Sequence, residues 1–133
     1  MQYFNVTGGV VMRLPNYEKY EVWQKAMDLA ENVYGLIRRL PLEERYALSD
    51  QMRRAAVSIP SNIAEGYSRG SDKEFIGFLY IARGSTAELE TQLKLCVRFN
   101  YFSLEDIFDS MHFCTKVQMM LNALIRSISQ TAI

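Results

Sequence analysis

The sequence predicts an all-α fold, an up-down-up-down antiparallel four-helix bundle. From residue 17 onward the apolar residues recur at alternating steps of three and four, which is the spacing of one helix face. The interruptions of this pattern fall in three short segments, near residues 41, 70 and 101. Short connections make consecutive helices antiparallel neighbours. A chain of 133 residues that is 49% apolar can form one domain with a single core.

The first 16 residues precede this pattern. They contain Gly8, Gly9 and Pro15 and show no helical periodicity, and they hold no basic segment followed by a long apolar run. These features predict a flexible N-terminal arm over residues 1–16, a bundle over residues 17–133, and no secretory signal.

The first helix is predicted from about Glu18 to Leu40, where Pro41 ends it. Its apolar stripe consists of Trp23, Ala26, Ala30, Val33, Ile37 and Leu40. The second helix is predicted over roughly Leu42 to Arg69. Because Pro60 has no N–H group, this helix either ends near Ser58 and restarts or bends there. The stripe stays in phase across the proline, which favours the bend; it consists of Leu48, Met52, Ala55, Ile59, Ile63 and Tyr67.

The third helix is predicted to begin at Ser71, where Glu74 completes a capping box, and to end near Phe99. Its segment from Phe75 to Ala82 is apolar all round, and a bundle core covers only one side of a helix. We therefore expect a homo-oligomer. The candidate interface residues are Phe75, Phe78, Leu79 and Tyr80. The alternative is that the N-terminal arm folds back over this surface.

The fourth helix is predicted to begin at Ser103 and to run to about Ser129. Phe102, before the cap, is placed to pack against Ile107 as a hydrophobic staple. Between Val117 and Ile128 the polar residues form one narrow stripe. As in the third helix, but less clearly, this leaves more apolar surface than the bundle core can cover.

Polar residues also follow neighbouring sides of the second and third helices. They are Arg54, Ser58, Asn62 (or Ser61), Glu65, Ser85 and Glu88. One interpretation is a solvated face. The other is a buried network between the two helices, in which Arg54 or Arg53 pairs with Glu88 and fixes their register.

The sequence offers little for catalysis. Its one histidine, His112, follows Asp109 at a helical spacing of three, but di-metal bundles need that motif on two helices together with two further glutamates. Neither a phosphate-binding loop motif nor GxGxxG is present. We therefore predict that the chain is not an enzyme and that it takes no metal, cofactor or small-molecule substrate.

Composition limits the partners. Fifteen Lys and Arg residues balance fifteen Asp and Glu residues, so net charge gives no general attraction to nucleic acids or acidic membranes. A ring of copies could still collect Arg38, Arg39, Arg45 and Arg53 into a basic rim. No segment is apolar enough to span a bilayer. Cys96 and Cys114 lie in apolar runs, which indicates buried, reduced thiols and a cytoplasmic location.

Three motifs carry a family resemblance that covers Tyr17 to Ile128. The segment from Arg53 to Gly66, RRAAVSIPSNIAEG, resembles the signature of four-helix-bundle proteins from intervening sequences of bacterial 23S rRNA genes. The segments from Val22 to Ala26 and from Ile81 to Glu90 extend the match. The resemblance implies a four-helix protomer in a pentameric ring, distantly similar to the accessory variability determinant proteins of diversity-generating retroelements. Those relatives are basic barrels that bind nucleic acid and a reverse transcriptase, whereas this chain has balanced charge.

Two functions follow as expectations. The first is a non-enzymatic homo-oligomeric scaffold or accessory protein associated with RNA or a ribonucleoprotein. The second is direct binding of RNA or DNA through the arginine rim.

Overall fold

The computed structural model describes residues 3–6, 10–13 and 16–131, with side-chain detail from residue 17. Four helices form the bundle: α1 Glu21–Ile37, α2 Leu48–Ser68, α3 Asp72–Arg98 and α4 Phe108–Thr131. Each helix packs against its neighbours in the chain, and α1 also packs against α4. The helices therefore occupy the corners of a square in the order α1, α2, α3, α4. This arrangement confirms the predicted all-α four-helix bundle.

Two short strands lie inside the predicted arm. Strand β1, Tyr3–Val6, pairs with β2, Val10–Arg13, in an antiparallel hairpin that places Tyr3 opposite Arg13. We predicted no strand here, although β-branched and aromatic residues flank a glycine pair, which is a hairpin signal. Flexibility of the arm stays a prediction.

The core takes Ala26, Val33 and Ile37 from the predicted α1 stripe and all of the predicted α2 stripe except Tyr67, and it adds apolar residues that the sequence pattern did not single out. Its largest fully buried side chains come from all four helices: Leu29, Met52, Ile59, Ile63, Leu79, Leu89, Leu93 and Leu121. Burial of one such side chain stabilises the fold by about 1.5–3 kcal/mol. Trp23 and Ala30 of the predicted α1 stripe are only half-buried, because they lie at the edge of the face that meets α2.

The helix starts differ from prediction where local turns replace the first helical turn. Residues Asn16–Lys19 and Leu42–Glu44 form 3-10 turns, so α1 and α2 begin later than predicted. Before α4, the backbone N–H of Asp106 donates to Ser103 Oγ (3.1 Å), and the N–H of Ser103 donates to the Asp106 carboxylate (2.9 Å). The predicted cap is therefore present, although regular helix begins only at Phe108.

Helix α2 continues through Pro60 without a break, as the in-phase stripe indicates. Asn62 Nδ2 donates to the backbone oxygen of Ser58 (2.7 Å) and to Ser58 Oγ (2.8 Å) one turn away, close to the position where the proline removes a donor. The helix ends before Gly70, whose φ of 89° is the left-handed conformation that glycine adopts readily.

The cap of α3 is Ser71, as predicted. The N–H of Glu74 donates to Ser71 Oγ (3.2 Å), and the Ser71 hydroxyl donates to the Glu74 carboxylate (3.0 Å). Just after this cap, α2 and α3 approach closely at Gly66: a Cβ atom there would lie 2.5 Å from Phe78 Cβ.

Candidate interaction surfaces

The described residues contain no group of three His, Cys, Asp or Glu side chains placed to hold a metal ion. Asp109 and His112 both lie exposed on α4. The thiols of Cys96 and Cys114 are buried, and burial raises their pKa to about 11 and about 12, respectively. In the part of the chain with assigned structure, no helix is long and apolar enough to cross a membrane.

A groove with a volume of about 680 Å³ lies between α1 and α2. We call it the α1–α2 groove; it is lined by Tyr17, Trp23, Met27, Ala30, Glu31, Tyr34, Arg38, Val57, Pro60, Ser61 and Ala64. Most of these side chains are apolar or aromatic, and the ring of Tyr17 packs edge-on against Trp23 at 5.4 Å. A volume in this range is typical of binding sites.

One end of the groove is cationic. A smaller adjoining cavity shares Tyr34, Val57 and Ser61 with the groove and adds Arg53, Arg54 and Ser58. The Arg54 guanidinium donates to the Asp50 carboxylate (3.2 Å) on its own helix. Within residues 17–131, neither Arg38 nor Arg53 forms an ion pair. Both guanidinium groups are therefore free to meet a carboxylate or phosphate from another molecule.

The second surface is the outer face of α3, which we call the α3 ridge. It is formed by Gly77, Tyr80, Ile81, Gly84 and Glu88, which recur at helical spacing. Tyr80 and Ile81 are 47% and 51% exposed, and a Cβ atom on either glycine would meet nothing within 4 Å. Glycine inside a helix costs about 0.5–1 kcal/mol relative to alanine, and packing inside the bundle does not require it at either position.

These positions correct part of the predicted interface. Phe75 and Leu79 are 6% and 0% exposed, because their spacing of four residues directs both side chains into the bundle core. Phe78 is half-buried beside Gly66, with the Arg69 guanidinium 5.0 Å from its ring centre. Of the four predicted interface residues, only Tyr80 is prominently exposed.

The predicted polar network is smaller than the sequence suggests. Ser58 Oγ and Ser85 Oγ lie 2.8 Å apart between α2 and α3, and Asn62 donates to Ser58. These three uncharged residues form the network.

The charged members of the prediction lie elsewhere. Arg54 pairs with Asp50 instead of Glu88, and Glu65 lies 3.8 Å from Arg69, both within α2. A partner one turn away on the same helix is nearer than one across the bundle. Glu88 is exposed and has no ion pair within residues 17–131.

The four predicted rim arginines occupy different environments. Arg39 pairs with Asp106 (3.1 Å) and stacks over Phe102. The pKa of the Asp106 carboxyl lies below its ordinary value because the Ser103 backbone N–H and then Arg39 donate to it. Arg45 lies over the ring of Tyr46, with 5.7 Å between the guanidinium carbon and the ring centre. The structure places only Arg38 and Arg53 at the cationic end of the groove.

Sequence reasoning missed the groove itself. The helical pattern predicts Trp23 and Ala30 as core residues and assigns no role to Met27 or Tyr34. The signal that could have found the groove is the run of Val57, Pro60, Ser61 and Ala64, which places non-charged residues on the outer side of α2.

The groove and the ridge use the motifs that stand out in the sequence. Seven residues of the segment from 53 to 66 line the groove or its cationic extension, and the segment from 81 to 90 supplies much of the ridge. The family model of the 23S rRNA-intervening sequence proteins matches residues 18–123. The chain belongs to this family.

A solved structure supports the same assignment for this 23S rRNA-intervening sequence protein. The chain is similar to a protein of unknown function from the S23 ribosomal protein family of Bacteroides thetaiotaomicron, with 28% sequence identity and a TM-score of 0.73. The similarity covers 79% of this chain and 95% of the other. No curated protein matches the chain.

Proposed function

We propose that this 23S rRNA-intervening sequence protein is a non-enzymatic homo-oligomer, a scaffold or accessory protein whose bundles associate through the apolar surfaces outside the core. The observation that carries the proposal is the exposure of large apolar side chains on α1, α2 and α3. Met27, Val57, Tyr80 and Ile81 are each about half exposed, although the core beneath them is closed. Met27 and Val57 form one exposed apolar patch and Tyr80 and Ile81 another, and patches of this kind mark protein contacts.

The oligomeric state is measured by light scattering coupled to size-exclusion chromatography, against a protomer mass of 15.4 kDa. We expect a mass several times that value. We expect Ile81→Glu to give the protomer mass with an unchanged helical circular dichroism spectrum, because the side chain is exposed in the single bundle. A wild-type chain that remains at 15.4 kDa at high concentration would refute the proposal.

A truncated chain that begins at residue 17 separates two ways of covering α3. If copies cover the ridge, the truncated chain keeps the wild-type oligomeric mass. If instead the full chain is a protomer and the truncated chain associates, the N-terminal arm covers the surface and the proposal fails.

The alternative function is direct binding of RNA or DNA through the arginines. The observation that favours it is that Arg38 and Arg53 line two cavities that share Tyr34, since a cation near an aromatic ring suits a phosphate beside a base. Labelled single-stranded RNA should then bind with an affinity that falls steeply with salt. The double substitution Arg38→Gln and Arg53→Gln should weaken binding, whereas Arg45→Gln serves as the control. Absence of binding at low salt would exclude this alternative.

A further inference from the structure

We infer that the α1–α2 groove of one copy receives the α3 ridge of a neighbouring copy. This inference rests on the proposed homo-oligomer and specifies its contact. The contact is heterologous, because it joins two different surfaces, and a chain of such contacts closes into a ring when the rotation allows it.

The two surfaces fit in shape. The groove is concave, and its floor of aromatic and small side chains leaves about 680 Å³ of space. The ridge is a narrow helix face on which Gly77 and Gly84 hold no side chain, Ile81 is half exposed, and the half-exposed ring of Tyr80 lies under the Arg83 guanidinium at 4.7 Å. Glycines at a helix contact let the backbone of a second helix approach closely, which accounts for two residues that are unfavourable within the isolated bundle.

A single copy cannot make this contact with itself. Helix α3 packs on α2 and α4 and not on α1, and no described residue of α3 lines the groove. The groove and the ridge thus lie on different sides of the square, so the four helices of one bundle cannot bring one onto the other.

The charges at the cationic end agree with this arrangement. The bond between Ser58 and Ser85 sets those residues at one level along the bundle. Because α2 and α3 are antiparallel, Arg54 and Glu88 lie about one turn further in the same direction. In a ring whose axis runs parallel to the helices, every copy keeps this level. The neighbour's ridge then brings Glu88, which has no ion pair within residues 17–131, to the level of Arg53 and Arg38.

Two matched substitutions test the contact. Val57→Glu places a carboxylate in the groove, and Ile81→Glu places one on the ridge; the side chains are 46% and 51% exposed, so each single bundle should fold. We expect either substitution to weaken association by about 100-fold or more, because the contact would bury an unpaired charge. Met119→Glu, at an exposed apolar site on α4 outside both surfaces, is the control and should keep the wild-type mass.

Mixing the two variants distinguishes a heterologous contact from a ridge-to-ridge contact. The Ile81→Glu protein keeps an intact groove, and the Val57→Glu protein keeps an intact ridge. An equimolar mixture should therefore form a dimer of about twice 15.4 kDa that cannot grow further. If ridge met ridge, Val57→Glu alone would retain the full oligomer, and that result would overturn the inference while leaving the proposed function intact.

The single tryptophan gives a direct measurement, because Trp23 lines the groove and is half-buried in one copy. We expect acrylamide to quench Trp23 fluorescence several-fold less in the wild-type oligomer than in the Ile81→Glu protomer, whose substitution lies on the other side of the bundle. Equal quenching in a wild-type oligomer and in that protomer would overturn the inference. A wild-type protein that is itself a protomer would overturn the proposed function.

Discussion

The close approach of α2 and α3 at Gly66 leaves no room for a side chain at this position. A Cβ atom there would lie 2.5 Å from Phe78 Cβ, 3.2 Å from Phe75 Cδ1 and 3.3 Å from the Phe75 carbonyl oxygen. Unstrained carbon atoms stay about 3.5–4.0 Å apart. Phe78 Cβ is attached directly to the backbone and cannot rotate away, so Gly66→Ala must push the two helices apart.

Two opposing effects set how much Gly66→Ala changes the free energy of unfolding. Alanine is more favourable than glycine inside a helix by about 1 kcal/mol. Overpacking of a closed contact typically costs about 1–3 kcal/mol, and here it also loosens Phe75 in the core. The difference of these two effects is a loss of up to about 2 kcal/mol in the free energy of unfolding for Gly66→Ala. Gly35→Ala in α1 is the matched control: no atom lies within 4 Å of its added Cβ, and it should raise stability by about 0.5–1 kcal/mol.

The assay is urea unfolding followed by circular dichroism at one fixed protein concentration, because association would add to apparent stability. With a typical slope of about 1–3 kcal/mol per molar urea for a small domain, the two variants should move the midpoint measurably in opposite directions. A Gly66→Ala protein as stable as the Gly35→Ala protein would refute the steric argument.

Further predictions concern the inter-helix serines and the buried thiols. Ser85→Ala should lower the free energy of unfolding by about 1 kcal/mol, and Ser58→Ala should lower it more, since Ser58 also accepts a hydrogen bond from Asn62. A double-mutant cycle without coupling between the two serines would contradict the hydrogen bond that joins them. The thiols of Cys96 and Cys114, with pKa values of about 11 and about 12, should resist a thiol reagent at pH 8 until the chain unfolds; rapid labelling of folded protein would contradict this. These pKa values exceed the ordinary thiol pKa of 9.0, so as the pH rises the unfolded chain loses its thiol protons before the folded chain does. The free energy of unfolding should therefore fall as the pH rises from about 9 to about 11. A free energy of unfolding that stays constant over this range would contradict the raised thiol pKa values.

The number of helices, their order and the buried face of α2 could be predicted because these depend on local periodicity. The caps at Ser71 and Ser103 could also be predicted, since each needs only residues within one turn. The starts of α1 and α2 could not, because a 3-10 turn satisfies the same backbone groups as a helical turn and leaves the apolar pattern unchanged.

The surfaces were harder to predict than the core. Trp23 follows the helical pattern of core residues, and only the packed structure shows that its face borders an open groove. Arg54 could pair with Asp50, one turn away on α2, or with Glu88 on the neighbouring helix α3. The sequence does not decide between them, and the structure shows the pair with Asp50. Ser58 and Ser85, by contrast, could be placed together because both lie on the α2–α3 side among small residues.

The order of the helices around the square sets how successive copies are oriented in the proposed assembly. The groove occupies the α1–α2 side, and the ridge lies at the α3 corner, so the two contact surfaces are not diametrically opposed. Successive molecules joined in this way must turn relative to one another instead of stacking along a line. Where that turn divides a full rotation evenly, the proposed series closes into a ring, and with both contacts of every member satisfied, no free end is left to elongate into a fibre.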